Sequence, residues 1–256
     1  MKKYLPVFLV LFFGCTPKQK QEAWVDLFNG KDLSNWTVKI HHHDVGVNFG
    51  NTFRVEDGMI QVRYDQYGDF NDQFAHLYYN QPFSRFHLKL EYQFTGELQP
   101  GAPDYTRLNS GVMFHSQDPH TMLKEQNWPI SVEMQFLAGL GDGNPRPTGN
   151  MCSPGTEIVY KGKVYENHCL HSSSRTFDKD EWVRAELIVL GDSLITQIIN
   201  GDTVLQYSKP TMGGGVVSGY DSAIWKPGSA LTSGYIALQS EGQPINFRNV
   251  KLREIK

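Results

Sequence analysis

A chain of 256 residues with 39% hydrophobic and 20% charged residues has the make-up of a globular protein with a core of its own. Its formal net charge of −3 excludes the basic footprint expected of a nucleic-acid or anionic-membrane binder. Fifteen Phe, twelve Tyr, five Trp and 24 Gly, with few helix-forming runs, describe aromatic-rich strands broken by many turns.

Residues 1–14 read as an export signal. Lys2 and Lys3 precede an apolar run, Leu5 to Phe13, which is too short to span a bilayer. The run ends in Phe13-Gly14-Cys15, which resembles the lipobox of bacterial lipoproteins. Cleavage before Cys15 and lipidation of Cys15 are therefore expected, with a plain secretory signal as the alternative. Residues 15–22 read as a polar tether and residues 23–256 as one domain, expected to be lipid-anchored in the bacterial cell envelope, at the outer membrane or the periplasmic face. Cys152 and Cys169 remain. In an oxidising compartment a disulfide between them is expected, closing a loop of about 16 residues worth roughly 3 kcal/mol. A metal site is the rival reading, because His168 and His171 flank Cys169, although the spacing matches no common zinc pattern.

Along the domain, Asn29-Gly30 marks a turn. His41, His42 and His43 read as loop residues, with transition-metal binding as the weaker alternative. Phe53 to Val62 is a hairpin turning at Asp57-Gly58. Phe86 to Phe94 alternates as a strand, and Gly96 to Thr106 is a loop. Asn109 to Gln117 is the next strand, with Val112 and Phe114 facing inward and Met113 and His115 opposite. Ile130 to Leu137 follows, with Val132, Met134 and Phe136 inward and Ser131, Glu133 and Gln135 outward. Ala138 to Thr156 is a long irregular excursion, Ile158 to Tyr165 a small hairpin, and Asn167 to Thr176 a polar loop. Trp182 to Val189 is a strand, and Ser193 to Tyr207 a hairpin turning at Asn200-Gly201. Thr211 to Gly219 is a glycine-rich lid candidate, and Gly234 to Ser240 and Ile245 to Ile255 close the domain. Short alternating strands without amphipathic helices predict an all-β fold: a two-sheet antiparallel sandwich of jelly-roll type with long loops.

The outward neighbours of the core positions form a polar face: Met113, His115, Glu133, Gln135, Arg184, Glu186, Gln239 and Glu241. For Arg184 and Glu186 a simple ion pair is the competing explanation. Tyr105, Trp128, Tyr220 and Trp225 are loop aromatics that either stack on a ligand or pack over the sandwich edge, with Trp225 the preferred pocket wall.

Several segments resemble one family. Leu27-Phe28-Asn29-Gly30-Lys31-Asp32-Leu33-Ser34-Asn35-Trp36, Asn109-Ser110-Gly111-Val112, Val132-Glu133-Met134-Gln135, and Ile236 to Gly242 followed by Phe247-Arg248-Asn249-Val250 are similar to the 3-keto-disaccharide hydrolase domain. The resemblance covers the chain from about Ala23 onward. It implies a concanavalin-like jelly roll, a site on the concave face of one sheet, and action on glycosides carrying a ketone at carbon 3. A non-catalytic carbohydrate-binding lipoprotein on the same fold is the alternative.

A 3-keto sugar has an acidic hydrogen on carbon 2, so its cleavage needs a base, a donor for the enolate oxygen and an acid for the leaving group. Glu133 is the candidate base and His115 its rival. Glu241 is the candidate acid. Asn109, Gln135, Arg184, Glu186, Gln239 and Trp225 are the candidate substrate-binding residues. The one cofactor these residues suggest is a divalent metal held by His168 and a carboxylate of the concave face. Simple hydrolysis and elimination followed by hydration both remain open.

Overall fold

The computed structural model describes Met1 and residues 22–256; the export segment, Cys15 and most of the tether lie outside the described residues. In chain order the strands are β1 (Val25–Asp26), β2 (Trp36–Ile40), β3 (Phe53–Glu56), β4 (Met59–Val62), β5 (Ala75–Tyr79), β6 (Arg85–Phe94), β7 (Asn109–Ser116) and β8 (Val132–Leu137). They continue as β9 (Asn150–Cys152), β10 (Thr156–Tyr160), β11 (Lys163–Tyr165), β12 (Cys169–Leu170), β13 (Val183–Leu190), β14 (Ile195–Ile199), β15 (Asp202–Met212), β16 (Tyr235–Ser240) and β17 (Ile245–Glu254).

These strands form two antiparallel sheets. A ten-stranded sheet runs β11-β10-β15-β14-β13-β6-β17-β4-β3, with β1 added on β17, and a seven-stranded sheet runs β12-β9-β8-β7-β16-β5-β2. The β3–β4 and β14–β15 hairpins turn at Asp57-Gly58 and Asn200-Gly201 with positive φ at both residues of each pair, the geometry whose twist matches that of the flanking strands.

The inner faces meet in one hydrophobic core. Phe136 on β8 stacks on Tyr92 of β6 with ring centroids 4.1 Å apart, which ties the two sheets together beneath the site. Val112, Phe114, Val132, Met134, Ile236 and Leu238 all point into this core, so strand alternation sends their neighbours to the opposite face.

Four strands of the seven-stranded sheet lack a strong sequence signal. β9 lies inside the Gly- and Pro-rich excursion, β12 inside the polar loop, and β2 and β5 are each 5 residues long. Each is stabilised by pairing with a distant partner, such as Cys152 with Cys169 and His76 with Gln239.

Candidate functional site

On the outer side of the seven-stranded sheet lies a pocket of about 330 Å³, bordered by Asn109, Glu133, Gln135 and Glu241 among others. Asn109 and Gln135 reach it by plain alternation, and the β7–β8 register sets Gly111 opposite Gln135 and Met113 opposite Glu133. The missing side chain at Gly111 is what admits Glu133: a Cβ built there would stand 2.5 Å from Glu133 Oε1.

Glu133 is 5% exposed, and its carboxylate makes no hydrogen bond or ion pair among the described residues. Burial, reinforced by the nearby Glu241 charge, raises its carboxyl well above the ordinary range. Glu241 is equally buried but differently served. Its Oε1 accepts from Trp128 Nε1 at 2.8 Å and from Gln239 Nε2 at 3.0 Å. Burial pushes its carboxyl up to about 7 while the Trp128 hydrogen bond pulls the other way.

Gln135 is oriented by Asn150, whose Nδ2 donates to Gln135 Oε1 at 3.1 Å. The Gln135 amide nitrogen is thereby left to donate into the pocket. Asn109 Nδ2 donates to Tyr105 O at 3.3 Å, and Asn109 Oδ1 is buried without a partner, so it can accept from a ligand hydroxyl. Trp128 rests on Phe74, with ring centroids 4.4 Å apart. Its segment is fixed by Gln126, which donates to Gln117 Oε1 at 2.8 Å and to Trp128 O at 3.0 Å.

Cys152 and Cys169 are joined by a disulfide. Cys152 pairs with Glu133 across β8–β9, and Cys169 lines the pocket beside the exposed His168. The donor atoms grouped with His168 belong to Cys152 and Cys169. Because those sulfurs are bonded to each other, the group offers one imidazole and no thiolate, a poor fit for a metal. His171 borders a separate groove with Tyr160 and Thr203.

A row of buried polar side chains continues from the pocket across the same face. Lys39, His76 and Gln239 are register neighbours on β2, β5 and β16, and each is at most 1% exposed. Lys39 Nζ donates to Ile40 O at 3.0 Å and Lys124 O at 3.2 Å, and burial lowers its ammonium to about 8. Both ring nitrogens of His76 and Oε1 of Gln239 lack partners; burial, with Lys39 adding to it, drives the His76 imidazole down to about 3, so it is neutral.

Four candidate residues lie elsewhere. His115 sits at a bulge where the β7–β16 register shifts, with φ 46, and its Nε2 is 3.0 Å from Gly191 O in the β13–β14 turn. The extra residue breaks alternation and turns the imidazole away from the pocket. Arg184 and Glu186 belong to β13 in the ten-stranded sheet, where Glu186 is held by His87 at 2.8 Å, Lys89 at 3.0 Å and Arg184 at 3.4 Å. They form the competing ion pair, because alternation identifies a face without saying which sheet bears it. Trp225 stacks on Tyr220 at 4.8 Å and packs against Gly155. Trp128, Tyr105, Pro154 and Val216 of the glycine-rich segment wall the pocket instead. Lys39 and His76 escaped sequence reading; the alternation in Ala75-His76-Leu77-Tyr78 was the available signal.

Solved structures share the fold. Two Parabacteroides distasonis proteins, provisionally described as glycosyl hydrolases, align over 91% of this chain. The first has 21% identity, TM-score 0.55 and 100% of its own length covered, and the second 18%, 0.53 and 94%. The exoplasmic/lumenal domain of VIP36 in its Ca2+-bound form aligns at 8% identity and TM-score 0.50, over 91% of this chain and 89% of that one. No curated protein matches the chain. Residues 23–253 match the family described as the 3-keto-alpha-glucoside-1,2-lyase-like domain, and the chain belongs to that family.

Proposed function

We propose that this pocket cleaves glycosides oxidised to a ketone at carbon 3, by elimination across carbons 1 and 2. The observation that carries the reading is a pair of buried carboxylates in one pocket with unequal hydrogen bonding: Glu241 accepts from Trp128 and Gln239, and burial raises both carboxyls. Two carboxyl groups whose environments differ in this way are suited to acid and base roles in one site.

The hydrogen bonds favour the reverse of the roles expected from sequence. Glu241 receives two donors, which stabilise its anion, so it is the base that takes the proton from carbon 2. The electron pair of that C–H bond moves into the C2–C3 bond and onto the ketone oxygen, and Gln135 Nε2, left free by the Asn150 bond to Gln135 Oε1, donates to the resulting enolate. Collapse of the enolate restores the ketone, forms the C1–C2 double bond and breaks the C1–O bond. Glu133, buried and without a stabilising partner, holds the proton that the leaving oxygen takes. Asn109 Oδ1 accepts from a sugar hydroxyl. Addition of water across the new double bond would make the net reaction a hydrolysis. Gln239 acts behind this set, as a donor that fixes Glu241.

The same reading places the domain on a lipid anchor at Cys15 in the cell envelope, supported by the Phe13-Gly14-Cys15 sequence. Mass spectrometry of the mature N-terminus tests the anchor; an unmodified Cys15 would remove it. For the chemistry, the protein is incubated with a 3-keto-glucoside and with the unoxidised parent. Release of the aglycone from the keto sugar alone, lost in Glu133→Gln and Glu241→Gln, is expected. Saturable binding without turnover would instead favour the carbohydrate-binding alternative.

A further inference from the structure

The turn after β2 carries three consecutive histidines, and two of them face the same way. His42 has φ 70, in the left-handed region that residues other than Gly, Asn and Asp seldom adopt. That reversal cancels strand alternation, and the rings of His41 and His42 stack with centroids 3.6 Å apart and planes 25° apart. His41 Nδ1 lies 2.8 Å from the carbonyl oxygen of Asp72. A carbonyl only accepts, so Nδ1 carries the proton and the neutral ring keeps a lone pair on Nε2. Imidazoles that bind metals are commonly held this way, with one nitrogen donating to a backbone oxygen and the other free for the ion. Glu125 approaches from the segment over the buried polar row, its Oε2 2.6 Å from His42 Nδ1.

One donor atom from each of His41, His42 and Glu125 lies within 4.8 Å of the others. Tetrahedral binding at metal–ligand distances of about 2.0–2.1 Å needs donors about 3.3 Å apart, a contraction that side-chain rotation at this half-exposed surface can supply. We propose that His41, His42 and Glu125 form a site for a divalent transition-metal ion such as zinc, with water completing its shell. Two imidazoles and one carboxylate favour zinc-type ions over magnesium or calcium, which take oxygen ligands. His43 is outside the site: its Nε2 is 2.7 Å from Gln73 Oε1 and its ring stacks on Phe49.

The ion would fasten two pieces of chain that already touch. His42 N donates to Lys124 O at 2.9 Å, and Lys39 Nζ donates to the same oxygen at 3.2 Å. The fastened segment ends in Trp128, the donor to Glu241, so the ion would steady the pocket from behind without entering it.

The test uses the untagged full chain, stripped with a chelator and titrated calorimetrically with Zn2+ and, separately, Mg2+. One zinc ion per chain, a rise in Tm with zinc and no magnesium binding are expected. His42→Gly preserves the left-handed backbone and Glu125→Gln preserves side-chain size; each should weaken zinc binding about tenfold or more, with the circular dichroism spectrum unchanged. His168→Ala should bind zinc as the parent does. Absence of zinc binding, unchanged affinity in both ligand variants, or loss of binding in His168→Ala would overturn the proposal.

Discussion

The carboxylate of Glu133 lies in the space that a side chain at residue 111 would occupy: a Cβ on Gly111 would sit 2.5 Å from Glu133 Oε1 and 3.0 Å from the backbone oxygen of Met134. A strand glycine that lets another group approach this closely has a positional role. Gly111→Ala should displace the carboxylate and strain β7 against β8, costing about 1–3 kcal/mol. Thermal melts and initial rates on a 3-keto-glucoside check it. Activity should fall by more than the fraction of protein unfolded, and undiminished activity would separate the position of Glu133 from the chemistry.

Trp128 and Gln239 both donate to Glu241 Oε1. Trp128→Phe removes the indole N–H while keeping a ring against Phe74. The Glu241 carboxyl should then rise above about 7. The acidic limb of the kcat/KM profile should move to higher pH, since the base must ionise first. The basic limb, set by the acid, should stay. An unmoved acidic limb would take Glu241 out of the base role.

Stability should report the same carboxyl. The native Glu241 pKa of about 7 exceeds the ordinary 4.5, so between those values the folded chain binds more protons than the unfolded chain. Stability from this group is therefore full at low pH and lost as pH rises through about 7, a change on the order of 3 kcal/mol. Glu241→Gln should flatten this dependence and be more stable than the parent at about pH 8. Urea midpoints at about pH 5 and about pH 8 check it.

The Cys152–Cys169 bond joins β9 to β12 beside Glu133. Its reduction should lower stability by about 3 kcal/mol and raise KM through the loosened wall at His168 and Cys169. Urea melts and kinetics with and without reductant measure both effects. An unchanged KM would leave the disulfide a purely structural staple.

Arg184 is half exposed on the opposite sheet, paired with Glu186. Arg184→Ala should leave kcat/KM and its pH profile unchanged and cost about 0–1 kcal/mol, because Arg184 is half exposed and Glu186 keeps His87 and Lys89 as partners. A clear loss of activity would return the β13 face to consideration.

Alternation along β7, β8 and β16 determined which side chains leave the core, so Asn109, Glu133, Gln135 and Gln239 were legible from the order of apolar residues alone. Turn pairs such as Asn200-Gly201 likewise announced their hairpins, because left-handed backbone is a local property of the residues at the turn. Tertiary structure decided the rest. Arg184 and Glu186 obey the same alternation as Glu133 yet lie on the other sheet, since period-two patterning carries no information about sheet membership. His115 left the pocket through a bulge created by pairing with β16, which no local pattern encodes. The raised carboxyls of Glu133 and Glu241 and the difference in their hydrogen bonding depend on burial beneath a covering segment and on a hydrogen bond from Trp128 to a carboxylate 113 residues away. Contacts at that separation form only when the sheets close, so they set the chemistry after the sequence has set the faces.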